Sequence, residues 1–212
     1  LIYEEEQISS AQLEALRTFE EGDPFQLAAL QELQVQLRRT LFYSSVIIQP
    51  QLELVEDYRV PVLLSLLPAK RHSFDVGIGY STDTQERLSL TWRTPKLNRW
   101  GHRQETRLQY SAVNPSGRAT YTIPLTHPLD DFLQLWARLE DNEFGDLDSH
   151  QKELGTRRER RLDKWISGYS VRWLDESWTI AGEHPTNEYL LPGASLSRRD
   201  RWAGSIVDPS AG

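Results

Sequence analysis

"RHSFDVGIGYSTDTQERLSLTW", residues 71–92, alternates apolar with small or polar side chains over almost its whole length. Phe74, Val76, Ile78 and Tyr80 share one parity; Asp75, Gly77, Gly79 and Ser81 share the other. After a polar break, Leu88, Leu90 and Trp92 alternate with Ser89, Thr91 and Arg93. A period of two marks a β-strand, whose successive side chains point to opposite faces. The apolar parity then needs a cover, which is either a protein core or lipid.

The signature recurs downstream. Strands are expected near residues 72–82, 86–94, 103–113, 117–125, 131–141, 151–161, 165–175 and 189–199. Each is close to the roughly 9–11 residues that a tilted strand needs to cross a bilayer. Turn clusters such as "STDTQE", "NPSG" and "RLDK" separate them and no helical pattern intervenes, so the expected sheet is an antiparallel meander. Leu108, Tyr110, Tyr121, Ile123, Leu125, Leu133, Leu135, Leu139, Val171 and Trp173 extend the apolar parity. Arg107, Gln109, Gln134, Arg138, Ser170 and Arg172 extend the polar one. A soluble sheet with one wet face has this pattern, and so does a transmembrane barrel. Trp100, Trp165 and Trp178 fall at strand ends or turns, where an interfacial aromatic girdle belongs. "RRERR", residues 157–161, is more charged than a lipid-facing strand tolerates. It lies at the interface, points inward, or marks a misplaced strand.

Composition narrows the classes. With 212 residues, 38% hydrophobic content and a mean hydropathy of -0.57, no run approaches the roughly 18 apolar residues of a spanning helix. A barrel remains open, because only half of each strand faces lipid. The chain has no cysteine and no methionine, and "LIYEEEQ" reads like the inside of a longer protein. Residues 1–70 hold five Lys/Arg against eleven Asp/Glu, a net of -6, whereas residues 71–212 hold 19 against 20, a net of -1. All seven tryptophans lie beyond position 90. Both shifts place a domain boundary near residues 68–72.

In the first segment, Ile8, Leu13 and Leu16 predict a short helix over 9–19, capped by Ser9 or Ser10. Asp23-Pro24 predicts an N-cap and first position for a second, amphipathic helix over 24–40, carrying Leu27, Leu30, Leu33, Val35 and Leu37. Strand-like spacing follows over 43–57 and 59–70, with a turn at Glu56-Asp57-Tyr58. Any small α+β domain has this order.

"EGDPF", the L-x-x-L-x-x-x-L helix, "LFYSSVIIQP" and "VPVLLSLLPAKR" resemble a POTRA domain. The resemblance implies a β-α-α-β-β unit, its helices on one face of a three-stranded sheet and its first strand mostly upstream of Leu1. It implies a periplasmic module that docks client strands by β-augmentation, with Val46, Ile47 and Ile48 as the edge strand. "F-x-V-G-x-G-Y-S-T-D" and "W-[+]-x-P-x-x-N-x-x-G-H" resemble the first barrel strands and first periplasmic turn of the BamA/TamA superfamily of outer-membrane assembly proteins. "YTIPLTHPLDDFLQLWA" and "LLPGASLSRRDR" resemble later strands of that family, in its TamA-like branch. The resemblance implies domains at 1–70 (POTRA, first strand clipped) and 71–212 (the first half of an outer-membrane barrel of about sixteen strands). It implies a bacterial outer-membrane location with the N-terminal domain in the periplasm. The implied partners are unfolded outer-membrane clients, a large inner-membrane-anchored TamB-like protein and the lipid bilayer. Phe74, Val76, Gly77, Ile78, Gly79 and Tyr80 would form the seam strand, and Pro95, Asn98, Gly101 and His102 the periplasmic turn motif. Eight strands leave half of such a barrel beyond residue 212, so this stretch is not expected to close by itself.

Enzymatic readings are poor. "GIGYS" is followed by no helix, so it is no phosphate loop, and there is no G-x-S-x-G elbow. His72, His102, His127, His150 and His184 lack metal-ligand spacing, and neither cofactor nor metal is expected. Glu4, Glu5 and Glu6 read as solvated charge. An acidic pI near 5.3 argues against nucleic acid as a partner. A soluble periplasmic β-rich binding module and a passive pore are the alternatives.

Overall fold

The computed structural model describes residues 1–2, 8–55, 57–82, 85–144, 147–179 and 183–199. The expected charge cluster Glu4-Glu5-Glu6, Glu56 of the expected turn, and residues 200–212 lie outside these.

The first unit folds around its helices. Helix α1 (Ser10–Leu16) is shorter than expected and begins where the Ser9 hydroxyl accepts a hydrogen bond from Gln12 N. This satisfies one of the donors a helix start leaves orphaned. Helix α2 (Leu27–Arg39) starts three residues later than predicted. Asp23 does not cap it: its carboxylate accepts from Glu20 N at 2.8 Å and closes a separate turn, leaving Gln26 at the N-cap. Strand β1 (Tyr43–Pro50) pairs antiparallel with β2 (Val62–Pro68). β1 stops short of position 57 because a 3-10 turn (Leu52–Leu54) and left-handed Asp57 and Tyr58 intervene. β2 begins just past Pro61, which has no N–H to give a ladder. Ile2 adds a parallel bridge on the other side of β2, its N bonding Val62 O and its carbonyl accepting from Leu64 N, both at 2.9 Å. The core joins Leu13 and Leu16 of α1, Leu33 and Leu37 of α2, Phe42, and Val46, Leu64 and Leu66 of the hairpin.

The second unit is one antiparallel sheet. Its strands are β3 (Ser73–Ser81), β4 (Gln85–Thr94), β5 (Arg103–Ser111), β6 (Ser116–His127), β7 (Asp131–Phe144), β8 (Leu147–Leu162), β9 (Trp165–Thr179) and β10 (Thr186–Arg198). Each pairs with its sequence neighbour, in the order β10-β9-β8-β7-β6-β5-β4-β3. All eight expected strands are present, and β7, β8 and β9 run 14–16 residues. They outrun the expected lengths because polar residues such as Asn142, Ser149 and Glu176 carry the ladders past the apolar belt. β3 and β10 do not pair with each other, so among the described residues the sheet is open.

Alternation puts the β4–β5, β6–β7 and β8–β9 turns at the end of the sheet that joins the first unit. "RRERR" is correctly placed in β8 and ends there. Arg157 pairs with Glu159 on the polar face at 3.0 Å, Arg158 forks onto Asp131, and Arg161 holds Asp130 at 3.1 Å. Trp100 and Trp165 also sit at this end, as a girdle requires. Trp178 falls near the opposite end, on the parity of the polar residues Arg172 and Glu176, which departs from the girdle expectation.

Candidate functional site: an open strand edge and the turn that docks beside it

Cross-strand register carries the apolar parity from strand to strand. Val76 lies opposite Leu90 and Leu90 opposite Leu108; Ile78 lies opposite Leu88 and Leu88 opposite Tyr110; Tyr121 lies opposite Leu135. These side chains form one continuous face and are open to the surroundings, Ile78 at 87% and Leu190 at 71%. Among the described residues, all twelve fully buried hydrophobic side chains lie between Ile8 and Leu66, in the first unit. The buried side chains of the sheet include Thr91, Thr94, Ser111, Thr122, Asp131 and Ser149, all polar. Monomeric soluble proteins rarely expose contiguous apolar surface beyond a few hundred Å², so this face requires a nonpolar cover. The opposite face is knit by polar contacts. Arg93 binds Asp75 and Glu105, Trp136 Nε1 donates to Glu153 at 2.5 Å, and Gln151 donates to Glu176 at 2.6 Å.

β3 is the outermost strand at one side, with Phe74, Val76, Ile78 and Tyr80 on the apolar face and Gly77 and Gly79 on the polar one. Its start is pinned: the Phe74 and Trp92 rings stack at 6.1 Å, and Trp92 Nε1 donates to His72 Nδ1 at 3.3 Å. Further along, the Ser89 hydroxyl donates to the Gly77 carbonyl at 3.4 Å. A Cβ at Gly77 would meet only Ser89, its Oγ at 2.5 Å, and one at Gly79 would touch only Arg87 Cβ, at 4.0 Å. Crowding therefore explains one glycine weakly and the other not at all. What both remove is side-chain packing against β4.

The turn over residues 95–102 joins β4 to β5 and clips onto the first unit. Asn98 organises it, its Oδ1 accepting from Trp100 N at 3.1 Å and His102 N at 3.2 Å, while Gly101 N donates to Asn98 O. Gly101 has φ +77°, and a Cβ there would strike the Phe42 ring at 2.7 Å and Gln12 Nε2 at 2.6 Å. Only glycine meets both demands. His102 Nδ1 lies 2.9 Å from the Tyr121 hydroxyl and ties the turn to β6. Lys96 lies over the Phe42 and Tyr43 rings, 5.9 and 5.1 Å from their centres. Burial pulls the Lys96 ammonium below its ordinary pKa and pushes the Tyr43 phenol up. Leu129 of the β6–β7 turn packs on the same core. Pro95 lines a cavity of about 430 Å³ between Thr40-Leu41 and the polar face of the sheet.

Among the described residues β1 pairs only with β2. The bonds of Ile2 to Val62 and Leu64 fix the backbone alternation, so Val46 and Ile48, opposite Leu66 and Leu64, turn their N–H and C=O to the outer edge. The Val46 side chain is 1% exposed, Ile48 is half-buried, and Ile47 points outward. Gln34 Nε2 of α2 already bonds the Val46 carbonyl at 2.8 Å. That contact joins α2 to β1 across twelve residues and has no signature in the sequence. Among the described residues no three His, Asp or Glu side chains converge on a metal position.

No family model matches the sequence. Among solved structures the chain is similar to BamA from Haemophilus ducreyi lacking POTRA domains 1–3, at 11% identity and a TM-score of 0.70. That match covers 94% of this chain and 43% of BamA, so the chain spans under half of that structure. The chain, its eight-stranded sheet included, is therefore similar in fold to part of that BamA structure. CdiB from Acinetobacter baumannii, at 12% identity, matches over 91% of this chain and 51% of its own with a TM-score of 0.42, too loose a superposition to build on.

Proposed function

We propose that this chain is part of an outer-membrane protein of TamA-like kind that inserts or translocates other outer-membrane proteins. In this reading the apolar face of the sheet lies against lipid, the polar face lines a hydrated lumen, and the first unit is a POTRA domain in the periplasm. β3 is the seam strand. Its open edge offers a ladder of N–H and C=O groups to an unfolded client strand, the pairing that soluble sheets guard against. The β1 edge at Val46–Ile48 is a second docking strand, for clients or for a TamB-like inner-membrane partner. No chemistry is performed.

The observation that carries the reading is the inverted burial: a sheet of eight strands whose large apolar residues stand exposed on one face, ending in a strand whose outer edge is unpaired among the described residues. A passive pore needs neither the open edge nor the clipped α+β unit. A soluble module would leave the apolar face uncovered.

Proline at β3 tests it. Val76 and Ile78 turn their N–H groups one way and Gly77 the other. Of Val76→Pro and Gly77→Pro, one therefore strikes the β4 ladder and the other the outer edge. The outer-edge variant, stably inserted in the full-length protein, should lose client assembly while keeping its heat-modifiable mobility. Undiminished client assembly in both variants would remove β3 from the mechanism.

A further inference from the structure

Three arginines stand directly opposite one another on the polar face. Arg107 of β5 pairs in register with Arg118 of β6, and Arg118 with Arg138 of β7. Like charges facing one another across strands destabilise a sheet, and a guanidinium does not shed its proton to relieve them. The flanking two have local counter-ions: Arg107 binds Glu105 at 3.2 Å, and Arg138 binds Glu140 and lies 3.9 Å from Glu153. Arg118, between them, is exposed and has no carboxylate partner among the described residues. Glu105 is moreover shared, since Arg93 holds it at 2.9 Å. The row borders the 430 Å³ cavity beneath the α+β unit, whose lining contains Arg93, Arg103, Arg107 and Arg118 against the single carboxylate of Glu105. Arg103 lies over the Phe132 ring, 5.8 Å from its centre, a contact that neutralises nothing. Further round the same face the signs balance, with Glu153, Glu159 and Glu176 among Arg138, Arg157 and Arg172. The deficit of negative charge is local to the cavity.

We propose that this arginine row docks a carboxylate-bearing extended segment of a second polypeptide, entering from the end of the sheet that carries the α+β unit. The proposal deepens the assembly reading above and rests on its assignment of the polar face to a hydrated lumen. A guanidinium fork matches a carboxylate in two parallel bonds, and a cleft of one sign concentrates its counter-charge. Neighbouring strands lie about 4.8 Å apart, so the three guanidinium groups span roughly 10 Å. One small anion cannot bridge that row. Alternate side chains of an extended peptide, about 7 Å apart on one side, reach two of its members at once. A lipid headgroup is excluded by geometry, since the row points away from the apolar face.

The test uses purified full-length protein in detergent with three fluorescent decapeptides, alternating Asp-Ser, Asn-Ser and Lys-Ser. The Asp-Ser peptide should bind alone, more weakly as salt rises, and about tenfold more weakly to Arg118→Gln. Arg118 is exposed and bonds nothing described, so that substitution spares the fold. Equal binding of the three peptides, no binding of the acidic one, or an unchanged affinity in Arg118→Gln overturns the proposal. So does displacement of the peptide by inorganic phosphate at the peptide's own concentration. Arg118→Cys, in a background without other accessible thiols, separates this failure from that of the assembly reading. Reaction of its thiol with a charged maleimide in native membranes upholds the hydrated lumen, and a missing peptide signal then sinks the docking alone. A thiol that does not react in native membranes, yet reacts once the Arg118→Cys protein is unfolded, sinks both.

Discussion

In the α+β unit Leu33 and Leu37 have no solvent exposure, while in the adjoining sheet Ile78 and Leu108 stand open. Both units use similar residue types, and they place them by opposite rules. The first buries leucine between helices and hairpin, as any water-soluble domain does. The second places residues such as Leu108, Tyr110 and Trp92 on one exposed face and residues such as Thr91, Ser89 and Arg93 on the other. The change of rule falls between Leu66, the last fully buried hydrophobic residue described, and Phe74, the first of the exposed face. The rule thus changes within about eight residues of one polypeptide, and the 95–102 turn fastens the two units together.

The contrast can be broken by substitution. Leu37→Ala leaves a cavity in the first unit and should cost about 2–5 kcal/mol, read as a lower urea midpoint for that unit. A loss below about 1 kcal/mol would mean its core is not the ordinary kind. Leu108→Lys in the middle of β5 should cost about 2–4 kcal/mol where the face meets hydrocarbon, measured by folding into bilayers. In a sheet solvated by water the same change would be neutral, and finding that would erase the distinction. Gly101→Ala forces a left-handed alanine against Phe42, at about 1–2 kcal/mol for the backbone alone. It should loosen the clip and hasten proteolysis between residues 68 and 73 without altering heat-modifiable mobility. Ser9→Ala removes the α1 cap for about 1 kcal/mol, detectable in the first unit alone.

Much of this is legible in the sequence because a period of two is a local property. The spacing of Val76, Ile78, Leu88 and Leu90 predicts both the strands and their common face, and the register bears it out. Helix α2 departs from its expected start because Asp23 serves its own turn, a choice between two nearby donors that spacing cannot resolve. The ends of β7, β8 and β9 outrun expectation because paired polar strands carry no hydrophobic signal. Docking of Gly101 on Phe42, the Gln34 cap on Val46 and the row Arg107-Arg118-Arg138 are long-range facts. They exist only once register is set, and no single stretch of sequence contains them.

The central claim is that one face of the sheet meets lipid and the other water. Single cysteines at neighbouring positions of β5 test it most directly, because Leu108 and Gln109 are adjacent in sequence and opposite in facing. In native membranes, with other accessible thiols removed, Gln109→Cys should react with a membrane-impermeant maleimide that reaches the lumen, and Leu108→Cys should react only after detergent extraction and unfolding. Equal labelling of both before extraction would contradict the account, because the apolar face would then stand in water.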